Sequence, residues 1–171
     1  MIKYRDNFPY RVEPLGPEHD RQSFSCGVPA LDTYIREQAG QDAKRKLAAA
    51  FVLTDDGKSI AGYYTLSAHA IDASELPAGL SKKLPRLPVP VTLLGRMAVS
   101  SVLGGKGLGK FILLHALERA WMGSTQVASW AVVGDAKAGA RDFYLKHSFV
   151  PLPNSPHRLF LPMKTIEPLI K

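Results

Sequence analysis

The chain is nearly without cysteine: one thiol, Cys26, in 171 residues. A single cysteine excludes an internal disulfide and a cysteine-built zinc site, and it suits a reducing compartment. Cys26 has no basic neighbour in sequence and reads as structural. No apolar run approaches the roughly 18 residues that cross a bilayer. The opening Met1-Ile2-Lys3-Tyr4-Arg5-Asp6 lacks the apolar core of a secretory signal. Histidines are scattered at His19, His69, His115, His147 and His157, with no metal-ligand spacing. These absences predict a cytoplasmic protein with no metal and no membrane partner. The length predicts a single domain over 1–171.

Negative charge is also short. Fifteen acidic residues stand against 22 Lys and Arg, a formal net charge of +7. A cationic excess suits a polyanionic partner. The cations gather at Lys44-Arg45-Lys46, at Lys82-Lys83 with Arg86, and at Lys106 with Lys110. One such cluster is usually a solvated face, and charge alone does not separate RNA, DNA and a phosphorylated cofactor.

What the chain does have is a glycine turn, Gly104-Gly105-Lys106-Gly107-Leu108-Gly109. A strand pattern, 91–99, precedes it and a helical pattern, 108–121, follows. Such an arrangement offers bare backbone N–H groups and a helix N-terminus to a pyrophosphate. A phosphate-binding P-loop needs a hydroxyl residue after its Lys. Here Gly109 is followed by Lys110-Phe111. A dinucleotide fingerprint needs an acidic residue about 20 positions on. Asp135 comes too late for that.

Along the chain, residues 8–15 alternate as a strand ending at Pro14. A short helix is expected near Glu18-His19-Asp20. Pro29 opens a helix with a stripe at Leu31, Ile35, Ala39 and Ala43, which ends at the basic triplet. Residues 48–53 and 59–68 form a hairpin about Asp55-Asp56-Gly57-Lys58. Pro77, Pro85, Pro88 and Pro90 shape an irregular approach to the central strand. Leu108, Ile112, Leu113, Ala116, Leu117, Ala120 and Trp121 mark the inward face of the next helix. A strand over 127–133 follows, then a helix capped by Asp135 that runs to His147. The strand 157–163 comes last. Antiparallel strands come first and βα units later.

This order resembles the GNAT superfamily of acetyl-CoA-dependent N-acetyltransferases. The superfamily's loop reads Gln or Arg, two residues, Gly, one residue, Gly or Ala. Lys106-Gly107-Leu108-Gly109 matches its glycine part, with Gly104 at the Gln/Arg position. The segment 140–149 is similar to Ala-x-x-Phe-Tyr-x-x-x-Gly-Phe, with Ser148 where Gly is usual. If that residue closes the helix in a left-handed conformation, Ser carries a cost there.

Further blocks narrow the resemblance. Phe24-Ser25-Cys26-Gly27, Leu31-Asp32-Thr33-Tyr34-Ile35, Gly62-Tyr63-Tyr64-Thr65-Leu66-Ser67, 84–90, 94–99 and 158–163 resemble the acetyltransferase toxins of bacterial type II toxin–antitoxin pairs. The match spans about Pro9 to Ile166.

The resemblance implies a GNAT fold of mixed α/β class, a central, mostly antiparallel mixed sheet flanked by helices. It implies acetylation of the α-amino group of aminoacyl-tRNA with acetyl-CoA as co-substrate, and arrest of translation. It also implies a ribbon-helix-helix antitoxin, contact with operator DNA only through that antitoxin, and a homodimer. A GNAT enzyme for a small amine or a protein N-terminus is the nearest alternative. A nucleic-acid-binding module and a CoA-binding regulator without turnover also remain open.

The chemistry is attack of a neutral amine on a thioester. An α-amino group titrates near roughly 7.7 to 8.0. A strong base is therefore not required, and the site must position the amine and stabilise developing charge. The resemblance makes Tyr144 the proton donor to the departing thiolate. Taken alone, Tyr144 is better read as a core tyrosine. Met97, Ala98 and Val99 offer backbone to the pantetheine arm. The resemblance implies that Gly104, Gly105, Lys106, Gly107, Leu108, Gly109 and Lys110 hold the pyrophosphate, and that Ala138 also touches CoA. Arg96, Lys44, Arg45, Lys46 and Arg158 are the candidate tRNA contacts.

Overall fold

The computed structural model describes residues 8–137 and 139–171. Seven strands form one mixed sheet in the order β1-β2-β3-β4-β5-β7-β6. They are β1 (Arg11–Pro14), β2 (Ala49–Thr54), β3 (Gly62–Ile71), β4 (Val89–Val99), β5 (Ala131–Asp135), β6 (Val150–Pro151) and β7 (Arg158–Pro162). Pairs β1/β2, β2/β3, β5/β7 and β6/β7 are antiparallel, whereas β4 and β5 run parallel. The parallel pair is joined by a helix, as a parallel crossover requires. The expected α/β class and mixed sheet hold.

The chain divides into two compact units. The first holds the residues up to Ser67 together with Gly95–Ala116. Its core gathers Phe24, Tyr34, Ile35, Ala39, Ala50, Val52, Ile60, Tyr63 and Ala98. The helical stretch from Pro29 to Lys44 is α1 (Pro29–Thr33), a π turn (Tyr34–Gln38) and α2 (Ala39–Lys44). Pro29 opens it because a first-turn residue needs no N–H. Its end is a Schellman closure: Lys46 N donates to Ala43 O and Leu47 N to Asp42 O. Lys46 takes the left-handed conformation there, with φ 60°.

The second unit holds Ala68–Leu94 and Leu117–Lys171. Its core is built from Ile71, Ala73, Leu76, Val89, Val91, Ala131, Val133, Leu152 and Phe160. It contains α3 (Ala78–Ser81), α5 (Arg141–Lys146) and α6 (Met163–Ile170). Between α3 and α5 the chain forms α4 (Leu108–Gly123), which passes from the first unit into the second. Leu108, Ile112, Leu113, Ala116, Leu117 and Ala120 of α4 are buried as the periodicity requires.

Three expectations need correction. Glu18-His19-Asp20 is a turn and a single bridge, not a helix. His19 is buried there and stitches the turn: Gly16 N donates to its Nδ1 at 2.9 Å, and its Nε2 lies 3.1 Å from Glu13. Asp135 does not cap α5. It ends β5, and its carboxylate accepts from Lys137 N at 3.0 Å. Gly139, with φ +89°, breaks the chain before the helix starts at Arg141. Last, Met163–Ile170 is a helix where only a strand end was expected. Pro162 and Pro168 hid it, yet Met163, Ile166 and Ile170 make a buried stripe.

Candidate active site

In the first unit, the end of β4 leads into the glycine loop and then α4. The last β4/β5 residue pair is Leu94 with Gly134, and β4 continues to Val99. Ala98 is buried, while Met97 and Val99 are half-buried. The loop start is braced by Ser101, whose N–H and hydroxyl both donate to Ser25 O, at 2.9 and 3.1 Å. Ser25 is itself set by Asp32, whose carboxylate accepts from Cys26 N at 2.8 Å. Asp32 is buried among the Phe24-Ser25-Cys26-Gly27 residues, so that motif is a support for the loop. The Cys26 thiol is pushed up by burial, which lowers its reactivity.

Within the loop, Gly105 has φ +82° and Gly107 has φ +74°. Only glycine adopts this conformation without strain. A Cβ at either position would meet nothing within 4 Å, so their surface is open. Gly104 has φ −59° and no such need. Leu108, Gly109 and Lys110 form the first turn of α4, where backbone N–H groups have no intrahelical acceptor. Lys106 and Lys110 are exposed. Bare N–H groups, a helix N-terminus and two exposed cations suit a pyrophosphate. Among the described residues no group of three or more His, Cys, Asp or Glu could hold a metal ion.

Also in this unit, Arg96 lies over the Tyr34 ring, 3.6 Å from its centroid. The stacking fixes the guanidinium as a planar cation. The Tyr34 phenol is pushed up to about 12 by burial and its hydrogen bond to Asp42. Lys44, Arg45 and Lys46 are exposed at the end of α2.

The second unit carries Tyr144, on α5 and 1% exposed. Gly134 of β5 makes room for it: a Cβ there would stand 3.0–3.2 Å from the Tyr144 ring. This contact was missed from the sequence, although a glycine inside a Val-rich strand signals close approach. The end of α5 is a second Schellman closure. Ser148 N donates to Leu145 O, Phe149 N donates to Tyr144 O, and the Phe149 ring packs on Tyr144 at 4.9 Å. Ser148 has φ 72°, so serine does occupy the left-handed position.

Buried tyrosines usually satisfy their hydroxyls within the fold. Tyr63 donates to Leu31 O at 2.7 Å, Tyr34 to Asp42 at 2.9 Å, and Tyr64 lies 3.0 Å from His115 Nδ1. The Tyr144 hydroxyl has no hydrogen-bond partner among the described residues. Burial, then the charge of Asp135, drives its pKa upward. The phenol therefore keeps its proton through the neutral range.

Arg158 begins β7, paired across the strands with Asp135. Its Nη1 lies 2.9 Å from His69 Nε2. Ala138 falls outside the described residues.

A mixed sheet with a parallel β4/β5 pair and a glycine loop between those strands is the arrangement of a GNAT-type acetyltransferase. No family model matches the chain. It is 30% identical over 170 residues to a probable toxin TacT of Sinorhizobium fredii, covering 93% of this chain and 94% of the relative. It is 34% identical over 152 residues to a tRNA-acetylating toxin of Mycobacterium tuberculosis, covering 88% of this chain and 90% of the relative. Among solved structures, AtaT complexed with acetyl-methionyl-tRNAfMet matches with a TM-score of 0.87 and 29% identity, over 95% of this chain and 99% of that one. Further matches are AtaT with the C-terminus of its antitoxin AtaR and acetyl-CoA (TM-score 0.81, 27% identity, 95% and 98% covered) and the AtaT–AtaR complex with DNA (TM-score 0.76, 27% identity, 94% and 99% covered). The chain belongs to the tRNA-acetylating toxins of toxin–antitoxin systems.

Proposed function

We propose that this protein transfers the acetyl group of acetyl-CoA to the α-amino group of aminoacyl-tRNA, so that translation stops, and that a cognate antitoxin neutralises it. The observation that carries this reading is the family relationship over nearly the whole chain, including a relative named as a tRNA-acetylating toxin. The open, backbone-lined glycine loop supports acetyl-CoA as co-substrate.

The residue roles follow from their chemistry. Gly105 to Lys110 orient the pyrophosphate through backbone N–H groups, with Lys106 and Lys110 adding charge, and Gly104 starts the turn. Met97, Ala98 and Val99 extend β4 beyond its pairing with β5 and offer backbone groups to the pantetheine amides. Ala138 is assigned to CoA as well. The neutral amine of the substrate forms the new C–N bond, the C–S bond breaks, and the sulfur takes the Tyr144 hydroxyl proton. The nitrogen's surplus proton passes to water, and water restores the phenol. Arg96, Lys44, Arg45, Lys46 and Arg158 contact tRNA phosphates. We further assign one domain over 1–171, a cytoplasmic location, a homodimer, a ribbon-helix-helix antitoxin, and DNA contact through that antitoxin. Among the described residues no helix is long and apolar enough to cross a membrane.

Labelled acetyl-CoA, incubated with the protein and charged tRNA, tests the reading against a deacylated control. Label on charged tRNA alone is expected. No label on either, with acetyl-CoA still bound, would contradict it.

A further inference from the structure

His69 lies near the end of β3 and Arg158 opens β7. Arg158 Nη1 is 2.9 Å from His69 Nε2. A guanidinium stays protonated and can only donate. The imidazole must therefore accept at Nε2, which makes it neutral with its proton on Nδ1. Among the described residues no carboxylate lies within ion-pair distance of Arg158. Its charge is thus held by a neutral acceptor and remains available to an anion.

The location gives that anion a meaning. Arg158 pairs across the sheet with Asp135, and Leu159 pairs with Gly134. Gly134 is the residue under the Tyr144 ring. Arg158 therefore stands on the strand beside the tyrosine's platform. We propose that His69 is a positioning residue for Arg158: its neutral ring holds the guanidinium beside that platform to take a phosphate at the 3′ end of the tRNA. Protonation of His69 removes the acceptor, opposes two cations and releases the arginine. This rests on the tRNA-acetylating reading.

The charged groups around His69 are Arg158 from β7 and Glu75 from the turn after β3, whose carboxylate accepts from Asp72 N at 2.6 Å. Burial and Arg158 hold the imidazole below its ordinary value, and Glu75 opposes them. The ring is accordingly neutral at neutral pH and gains its proton only on the acid side of the usual histidine range.

The test is steady-state acetylation of charged tRNA by the full chain, with H69A, H69Q, R158A and the H69A/R158A double variant. H69A is expected to raise the KM for charged tRNA about tenfold, the scale of one hydrogen bond to a charged group. Its KM for acetyl-CoA should stay unchanged. H69Q should restore the tRNA KM, because an amide oxygen also accepts. The double variant should be no worse than R158A. Between about pH 7.5 and pH 5, wild-type KM should rise relative to that of H69Q. This ratio cancels titration of the acceptor amine, which both enzymes share. An H69A enzyme with wild-type KM for tRNA overturns the proposal, as does an equal rise in both KM values or a pH-independent ratio. A wild-type enzyme inert on charged tRNA overturns the tRNA reading and this inference together. An active wild type matched by H69A overturns this inference alone.

Discussion

The glycine loop and the end of α5 both need left-handed backbone, and they meet the need differently. Gly105 and Gly107 carry no side chain at φ +82° and +74°. Ser148 carries one at φ 72°, and Lys46 does the same at φ 60° at the end of α2. Serine and lysine each incur about 1 kcal/mol for that conformation. Both close Schellman motifs, where the task is only to turn the chain and satisfy two carbonyls. At Gly105 and Gly107, a Cβ would meet no protein atom within 4 Å. The glycines there leave the loop backbone uncovered. The contrast separates two uses of a missing Cβ: leaving backbone uncovered, and clearing space for a neighbouring side chain, as Gly134 does for Tyr144.

Substitutions can break or sharpen this contrast. The largest effect is expected from Tyr144→Phe. Removing the proposed proton donor should lower kcat by about 10²–10⁴, with the KM for acetyl-CoA within about twofold. A Phe variant with wild-type kcat would end the assignment. Next is Gly107→Ala, which adds strain and a methyl group beside the α4 N-terminus. The KM for acetyl-CoA should rise about tenfold, and kcat at saturation should change little. Equal losses in kcat would show that the loop does more than bind. The smallest effect is expected from Ser148→Gly. Relief of the left-handed strain should raise stability by about 1 kcal/mol, or roughly 2–4 °C in Tm, with turnover unchanged. A melting scan beside an activity assay checks both halves.

Much of this was legible in the sequence, because periodicity and glycine placement report directly on local backbone. The stripe at Leu108, Ile112, Leu113 and Ala116 fixed α4, and the departure at Ser148 pointed to its left-handed turn. Capping was less legible. Asp135 has the right side chain for a cap, but Gly139 intervenes and the carboxylate turns onto Lys137 N. Prolines at 162 and 168 disguised α6, since propensity cannot register the burial of Ile166 and Ile170. Contacts distant in sequence were least legible. Nothing near His69 announces a guanidinium 89 positions away. The fit of Gly134 under Tyr144 also required the fold.

The central claim is that the acceptor is the α-amino group of an amino acid esterified to tRNA. Mass spectrometry of the 3′-terminal aminoacyl-adenosine, released by nuclease after incubation with acetyl-CoA, reads it directly. One added acetyl group on the amino acid with the wild-type protein, and little or none with Tyr144→Phe, is the result expected. Aminoacyl-adenosine left unmodified by a folded, acetyl-CoA-binding wild type would contradict the account.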